Sequence, residues 1–424
     1  MAITITQQPP EISPAYNDII LTVSSNNVFD TFKFKYVFDI YAKQNGAASY
    51  TYVGRVKTTP NPSAVGMLDL GRYLENQVYQ DMFSGEPFEI GSDTNGWVAT
   101  GSTSMAKYYI LCGEEYATTE TGIVQLRNGN GALATSGILT GSTTNVVTTF
   151  NGVQQFEDGL LWDGTPYFLT SGRTFLTNSP RTLYREDDEY VTLCGMAGLY
   201  NGTQANANNA RMYATVYNAA GSLIHTYTSS FTINYTGTDK QMIFGGINLN
   251  TIVSGYTSTW NKVIITIGSG GNYENMTIFN KGCPWDKYNP VDVIFLNRLG
   301  GWDTFRFYGQ KNETLKIDRD TYKRAYGTWS SETYSYNTYE RGTSNIKTDL
   351  ILEGTVESDF INRDTVNWLG ELLTSSQIFL IKDGVLKPIN ITDSNFNLQL
   401  RGNKKLRQVG FKYEYSTEIR TQQQ

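Results

Sequence analysis

Apolar and polar side chains alternate through residues 32–41. Phe32, Phe34, Tyr36, Phe38 and Ile40 fall on one face, and Lys33, Lys35, Val37 and Asp39 on the other. A period of two predicts a half-buried strand. Asn45-Gly46 is a hairpin turn signal, and residues 50–56 read as the returning strand. Pro60 and Pro62 then break the chain. Beyond them the period lengthens: Met67, Leu70, Leu74, Val78 and Met82 recur every three to four residues. That spacing predicts an amphipathic helix over 67–82, with Gly85 and Pro87 as stop signals.

From about 106 to 282, short apolar runs are punctuated by Gly, Ser, Thr and Asn. Residues 212–217 and 223–228 flank Asn218 to Gly221, a good hairpin signal, and residues 262–267 form another strand. Turn signals about every ten residues suit a sandwich or jelly roll. A third segment opens at Cys283-Pro284-Trp285. Strands are expected at 291–296 and 304–308 around a tight turn at Gly300-Gly301, and at 378–381, 388–392 and 412–416. Between them Val366, Leu369, Leu372 and Leu373 share a helical face, which predicts a second helix over 364–374 with Asp364 as N-cap. The expected domains are 1–105 (a β-sandwich with one helix), 106–282 (a β-sandwich or jelly roll) and 283–424 (β-rich with one short helix).

Composition supports a mainly β fold of tandem sandwich-like or jelly-roll-like domains with short helical inserts. Of 424 residues, 29 are Tyr, 20 Phe and 7 Trp, while charged residues are only 17%. Aromatic and β-branched side chains suit a pleated, half-buried surface. Disorder would need high charge and few aromatics. Net charge is −6, without the basic excess of a non-specific nucleic-acid binder. The densest basic stretch, Arg401, Lys404, Lys405, Arg407 and Lys412, reads as a solvated strand face. Residues 1–10 show neither a basic n-region nor an apolar h-region, so no signal peptide is expected. No run of 18 apolar residues occurs, so no membrane span is expected.

The chemistry-bearing residues are sparse. The single histidine, His225, lies on a predicted strand with no G-x-S-x-G elbow in the chain, and reads as structural. Cys112, Cys194 and Cys283 are far apart, as buried thiols of a reducing compartment are. Paired carboxylates suffice for glycoside hydrolysis. The candidates are Glu114-Glu115, then Glu157 and Asp158 with Asp163 beside Trp162, then the acidic run Glu186 to Glu189. Each reads instead as a solvated acidic loop, since the sequence gives no way to bring two of them to the needed separation, and the last lacks the alternating pattern of a Ca²⁺ loop. No nucleotide-binding glycine loop follows a strand with its partners in place. Catalytic residues, cofactor and metal are therefore not expected.

What remains is physical. The segment from Tyr322 to Asn345 carries Tyr322, Tyr326, Trp329, Tyr334, Tyr336 and Tyr339 with almost no aliphatic residues. A core needs aliphatic volume, and a tyrosine-rich ribbon of this kind finds a partner surface. The expectation is a long hairpin arm whose six aromatics form an interface with a neighbouring subunit.

Three passages resemble structural proteins of tailed bacteriophages that infect Bacteroidetes, the crAss-like phages among them. They are MAITITQQPPEISPAYNDIILTVSS with GMLDLGRYLENQV at 66–78, CPWDKYNPVDVIFLNRLGGWDTFRF at 283–307, and WLGELLTSSQIFLI followed by KPINITDS at 368–394. Together they cover the first and last thirds of the chain. The resemblance implies a non-enzymatic virion component of a tail, neck or baseplate, assembled in the host cytoplasm. Its implied partners are copies of itself in a ring and other tail or neck proteins, with no direct nucleic-acid binding. The competing expectation is a host-attachment protein whose middle domain binds carbohydrate.

Overall fold

A computed structural model describes residues 3–44, 47–81, 98–101, 103–155, 175–200, 203–205, 211–230, 240–269, 272–282, 289–340, 342–382, 385–393, 407–417 and 419. The fold is mainly β, built of several sheets in a sandwich-like arrangement. The chain divides into two compact units. The first comprises Met1–Gly282 and Leu296–Asp303, the second Cys283–Phe295 and Thr304–Gln424.

The first unit contains two layered cores. A three-stranded sheet (Thr4–Gln7, Ile20–Ser24, Val65–Asp69) faces a larger one built on Ile12–Pro14, Val147–Phe150, Met105–Ala117, Phe32–Gln44 and Thr51–Thr58. Leu21 and Val23 pack against Phe34, Tyr36, Phe38, Ile40, Tyr108 and Ile110. Each side chain of this kind contributes about 1.5–3 kcal/mol on burial. The phenol of Tyr36 donates to the carbonyl of Ala64 at 2.6 Å and accepts from Ser25 N–H at 2.9 Å, satisfying its one polar atom in the core. The expected face of the 32–41 strand starts at Phe34. Lys33 sits at φ 57° where the register with Met105–Ala117 shifts, and this irregularity leaves Phe32 exposed.

The second core lies between a four-stranded sheet (Val98–Thr100, Tyr190–Tyr200, Thr203–Ala205, Gln241–Asn248) and a five-stranded one (Thr182–Arg185, Arg211–Asn218, Leu223–Ser230, Trp260–Ser269, Asn272–Asn280). Val191, Leu193 and Ile243 meet Val216, Val263, Ile265 and Ile278 there. Residues 296–303 are held by Asn297, whose side chain accepts from Leu299 N–H (3.0 Å) and Gly301 N–H (2.9 Å) and donates to Leu176 O (2.8 Å). Gly300 turns this loop at φ 81°, where a β-carbon would strike the carbonyl of Asn151.

The second unit is a seven-stranded sheet in the order Trp302–Phe307, Val291–Leu296, Ile378–Lys382, Val385–Ile391, Gly410–Tyr415, Thr343–Glu357, Asn312–Lys323. Helix Arg363–Thr374 buries Val366, Trp368, Leu369 and Leu372 against it. Trp368 meets Phe295 and Phe305 at ring distances of 5.7 and 6.0 Å. Arg306 and Asp292, on neighbouring strands, form a two-pronged ion pair at 2.7 Å.

Three expectations are corrected. Residues 67–82 do not form one helix: a strand Val65–Asp69, a single turn Gly71–Leu74 and a 3₁₀ turn Glu75–Gln77 replace it. Leu68 is buried by a strand's alternation and Leu70, Leu74 and Val78 by the turns that follow, which mimics a helical period; Met67 is exposed. Met82, Gly85 and Pro87 lie outside the described residues. The helix near 364 is capped by Asn362, whose side chain accepts from Thr365 N–H at 2.8 Å, while Asp364 sits in the first turn. Position 105 is not a boundary either. The strand that starts there pairs with Phe32–Gln44 along nearly its whole length, so a cut at 105 would split one sheet. The expected opening of the third segment, Cys283 to Trp285, lies outside the described residues.

Candidate interaction surface

The tyrosine-rich segment occupies the end of a long hairpin. Asn312–Lys323 pairs with Thr343–Glu357 from Asn312↔Thr355 to Lys323↔Thr343, with one irregularity between Asp320 and Thr321. Glu353–Glu357 of the second strand is also paired to Gly410–Tyr415, and Leu350 makes an isolated bridge to Ile419. Every residue of Asn312–Lys323 is exposed. The arm is thus longer than residues 322–345. Its alternation separates two faces: Leu315, Ile317, Leu350 and Leu352 with Arg319 on one, and Lys316, Asp318, Asp320, Lys347, Asp349 and Glu353 with Ile351 on the other.

The tip folds on itself. Thr328–Trp329 and Tyr334–Ser335 form a two-stranded ribbon closed by Ser330 N–H to Thr333 O at 2.8 Å. The hydroxyl of Tyr334 donates to the carbonyl of Tyr326, and Glu340 accepts from Gly327 N–H. The rings form a chain. Trp329 is 5.1 Å from Tyr334, Tyr334 is 6.2 Å from Tyr336, and Tyr336 is 5.5 Å edge-on from Tyr326. Tyr322, Tyr326, Trp329, Tyr334, Tyr336 and Tyr339 are all exposed, Trp329 and Tyr339 at 79%. The tip therefore presents a preformed aromatic surface whose rings already restrain one another, which lowers the entropy cost of docking.

At the root of the arm, Tyr415 donates to Glu313 at 2.9 Å, and Lys311 reaches Glu313 at 2.9 Å. Burial acts to raise the Glu313 carboxyl, but hydrogen bonds from Lys311 and Tyr415, with the charge of Lys382, outweigh it and hold it below its usual range. Burial first, and then the Glu313 carboxylate, push Tyr413 up to about 12.

The other candidate residues lie elsewhere in the fold. Buried Glu114 accepts from Ser25 Oγ (2.8 Å) and Asn27 Nδ2 (2.6 Å), and Glu115 pairs with Lys57. Glu189 is buried, accepting from Glu186 N–H at 2.7 Å and from Arg185 at 3.2 Å. His225 stacks on Tyr256 at 5.2 Å. Cys112 and Cys194 are buried thiols; burial raises Cys112 to about 12 and Cys194 well above its ordinary value. Among the described residues no group of three His, Cys, Asp or Glu could hold a metal ion. Glu157, Asp158, Trp162, Asp163, Cys283, Arg401, Lys404 and Lys405 lie outside the described residues.

Sequence reasoning missed the aliphatic stripe below the tip. Its signal was present as Leu315 and Ile317 two apart, facing Leu350 and Leu352 two apart.

No family model matches the chain, and no curated protein matches it. Among solved structures it is matched to the native conformation of E. coli alpha-2-macroglobulin, over 84% of this chain at 7% identity and a TM-score of 0.19. The chain spans 21% of that protein's length. A likeness this slight carries no argument.

Proposed function

We propose that this chain is a non-enzymatic structural subunit of a bacteriophage virion, a building block of the tail, neck or baseplate. The observation that carries this reading is the exposed hairpin arm with its preordered aromatic tip. Large rings held on a solvent-facing ribbon suit protein contact. Copies arranged about a symmetry axis, as in a ring, would reuse one such patch in every subunit. The tip docks on a neighbouring subunit or on another tail or neck protein. The similarity of residues 1–25, 66–78, 283–307 and 368–394 to phage structural proteins supports the same reading. Assembly in the host cytoplasm fits buried, unpaired Cys112 and Cys194. No described helix is long and apolar enough to cross a membrane.

The test is mass spectrometry and cryo-EM of particles from a phage that carries this gene. The chain is expected in multiple symmetric copies in the tail, neck or baseplate, with density for its arm against a neighbour. Its absence from purified particles overturns the proposal.

A further inference from the structure

Asn312–Lys323 is the last strand of its sheet. Thr343–Glu357 pairs one side of it, and no described strand pairs the other. An edge like this presents a row of unpaired N–H and C=O groups. Many edges are blunted by proline or shortness, but this one runs 12 residues without proline. It carries charges instead, and those charges match a reversed copy of themselves.

Consider the strand laid antiparallel to its own copy with Ile317 on the two-fold axis. Lys316 then lies opposite Asp318 of the second copy, and Asp318 opposite that copy's Lys316. Thr314 faces Asp320 and Leu315 faces Arg319. Moving the axis one residue either way sets Lys316 against Lys316 or Asp318 against Asp318. Moving it half a residue sets Glu313 against Asp320 or Lys316 against Arg319, like charges in both cases. The register centred on Ile317 pairs opposite charges twice with no like-charge pair inside the strand, and it joins Ile317 to Ile317 in a row running Leu350, Ile317, Ile317, Leu350 across four strands.

A second observation points the same way. Asp318 lies directly opposite Asp349 within the hairpin, a like-charge pair that destabilises a sheet. Lys347 forms an ion pair with Asp349, whereas Asp318 has no ion pair among the described residues. Lys316 reaches Glu353 at 3.3 Å on the exposed face of its own hairpin, and across the axis the second copy's Lys316 also places a cation beside Asp318.

We infer that two copies of this chain join edge to edge through Asn312–Lys323, antiparallel about a two-fold axis at Ile317. Main-chain bonds hold the pair, and Lys316 with Asp318 sets the register. This goes beyond the virion reading and holds for the isolated chain.

The full chain should sediment as a dimer of its 47.5 kDa subunit. K316D and D318K each replace two attractive pairs by two repulsive ones and should weaken the dimer on the order of tenfold. K316D/D318K, which restores both attractions in reverse, should recover it. Ile317→Cys should form a disulfide-linked dimer under mild oxidation above the wild-type background, because facing Cα atoms in an antiparallel pair lie ~4.5–5.5 Å apart, within disulfide reach. Thr314→Cys, facing Asp320, should not. A monomeric wild type, a double variant no tighter than the single ones, or no Ile317→Cys cross-link overturns the inference. The tip lies outside this edge, so failure here leaves the docking of the tip untouched.

Discussion

The ring of Tyr334 lies against the bare α-carbon of Gly327, where an added β-carbon would fall 2.6 Å from Cζ. Gly327 also holds φ 83°, a left-handed conformation that costs other residues about 1–2 kcal/mol. Gly327→Ala should therefore unsettle the tip locally. The expected readout is a change in the near-ultraviolet circular dichroism of the tip aromatics, with the main thermal transition in place. An unchanged aromatic spectrum would mean that the tip is not ordered around this contact.

Removing the tip tests what it is for. Deleting 324–343 and closing the gap with Gly-Ser leaves residues 312–322 paired with 344–355. On the proposed function, a soluble, folded protein that no longer enters the assembly is expected. Unfolding would show that the tip supports its own unit, and normal assembly would remove it from the interface.

His225 stacks on Tyr256 and is paired in register with Val216. His225→Gln should cost no more than about 1 kcal/mol of stability and leave particle assembly and infectivity near wild type. Loss of infectivity in correctly assembled particles would show a chemical role for this imidazole.

Asn297 is buried and satisfies two backbone N–H groups and one carbonyl. Asn297→Ala strands those partners, at about 1–3 kcal/mol for each group left unsatisfied. The midpoint of chemical denaturation of the first unit should fall measurably; an unchanged midpoint would mean that water replaces the amide.

Acid stability follows from Asp81 and Glu313. Burial acts to raise Asp81, but side-chain and backbone hydrogen bonds from Ser104 and Thr103 prevail and lower it from 3.8. Glu313 is lowered from 4.5. A carboxylate depressed by folding stabilises fully above its unfolded value, and that contribution is lost as pH falls through the folded value. Melting temperature should hold above about pH 5 and drop below about pH 4. Asp81→Asn should flatten part of that drop, and a variant that falls as steeply as wild type would exclude Asp81 as a source.

Much of this fold was legible because alternation is strict where one face is buried. The helix at 364–374 and the strand at 32–41 follow from period, although Val37 and Asp39 on the strand's second face are buried as well, and the strands at 212–217 and 262–267 follow from short apolar runs between turn signals. The misreading at 67–82 arose because Leu70, Leu74 and Val78 are buried by successive turns, and a strand end plus two turns spaces apolar residues much as a helix does. The boundary at 105 was misplaced because strand order is non-local: nothing near Met105 reveals that its partner starts at Phe32. The arm was visible through its missing aliphatics, but the pairing that sets Leu315 beside Leu352 depends on a register no local pattern fixes.

The loop 296–303 has a consequence for the order of synthesis. The first unit's contiguous stretch ends at Gly282, yet inside that unit Asn297 donates to the carbonyl of Leu176 and accepts from Gly301 N–H. A ribosome must therefore add residues assigned to the other unit before the first can close. A nascent chain halted between 282 and 296 would hold an incomplete fold, with the carbonyl of Leu176 still waiting for its donor.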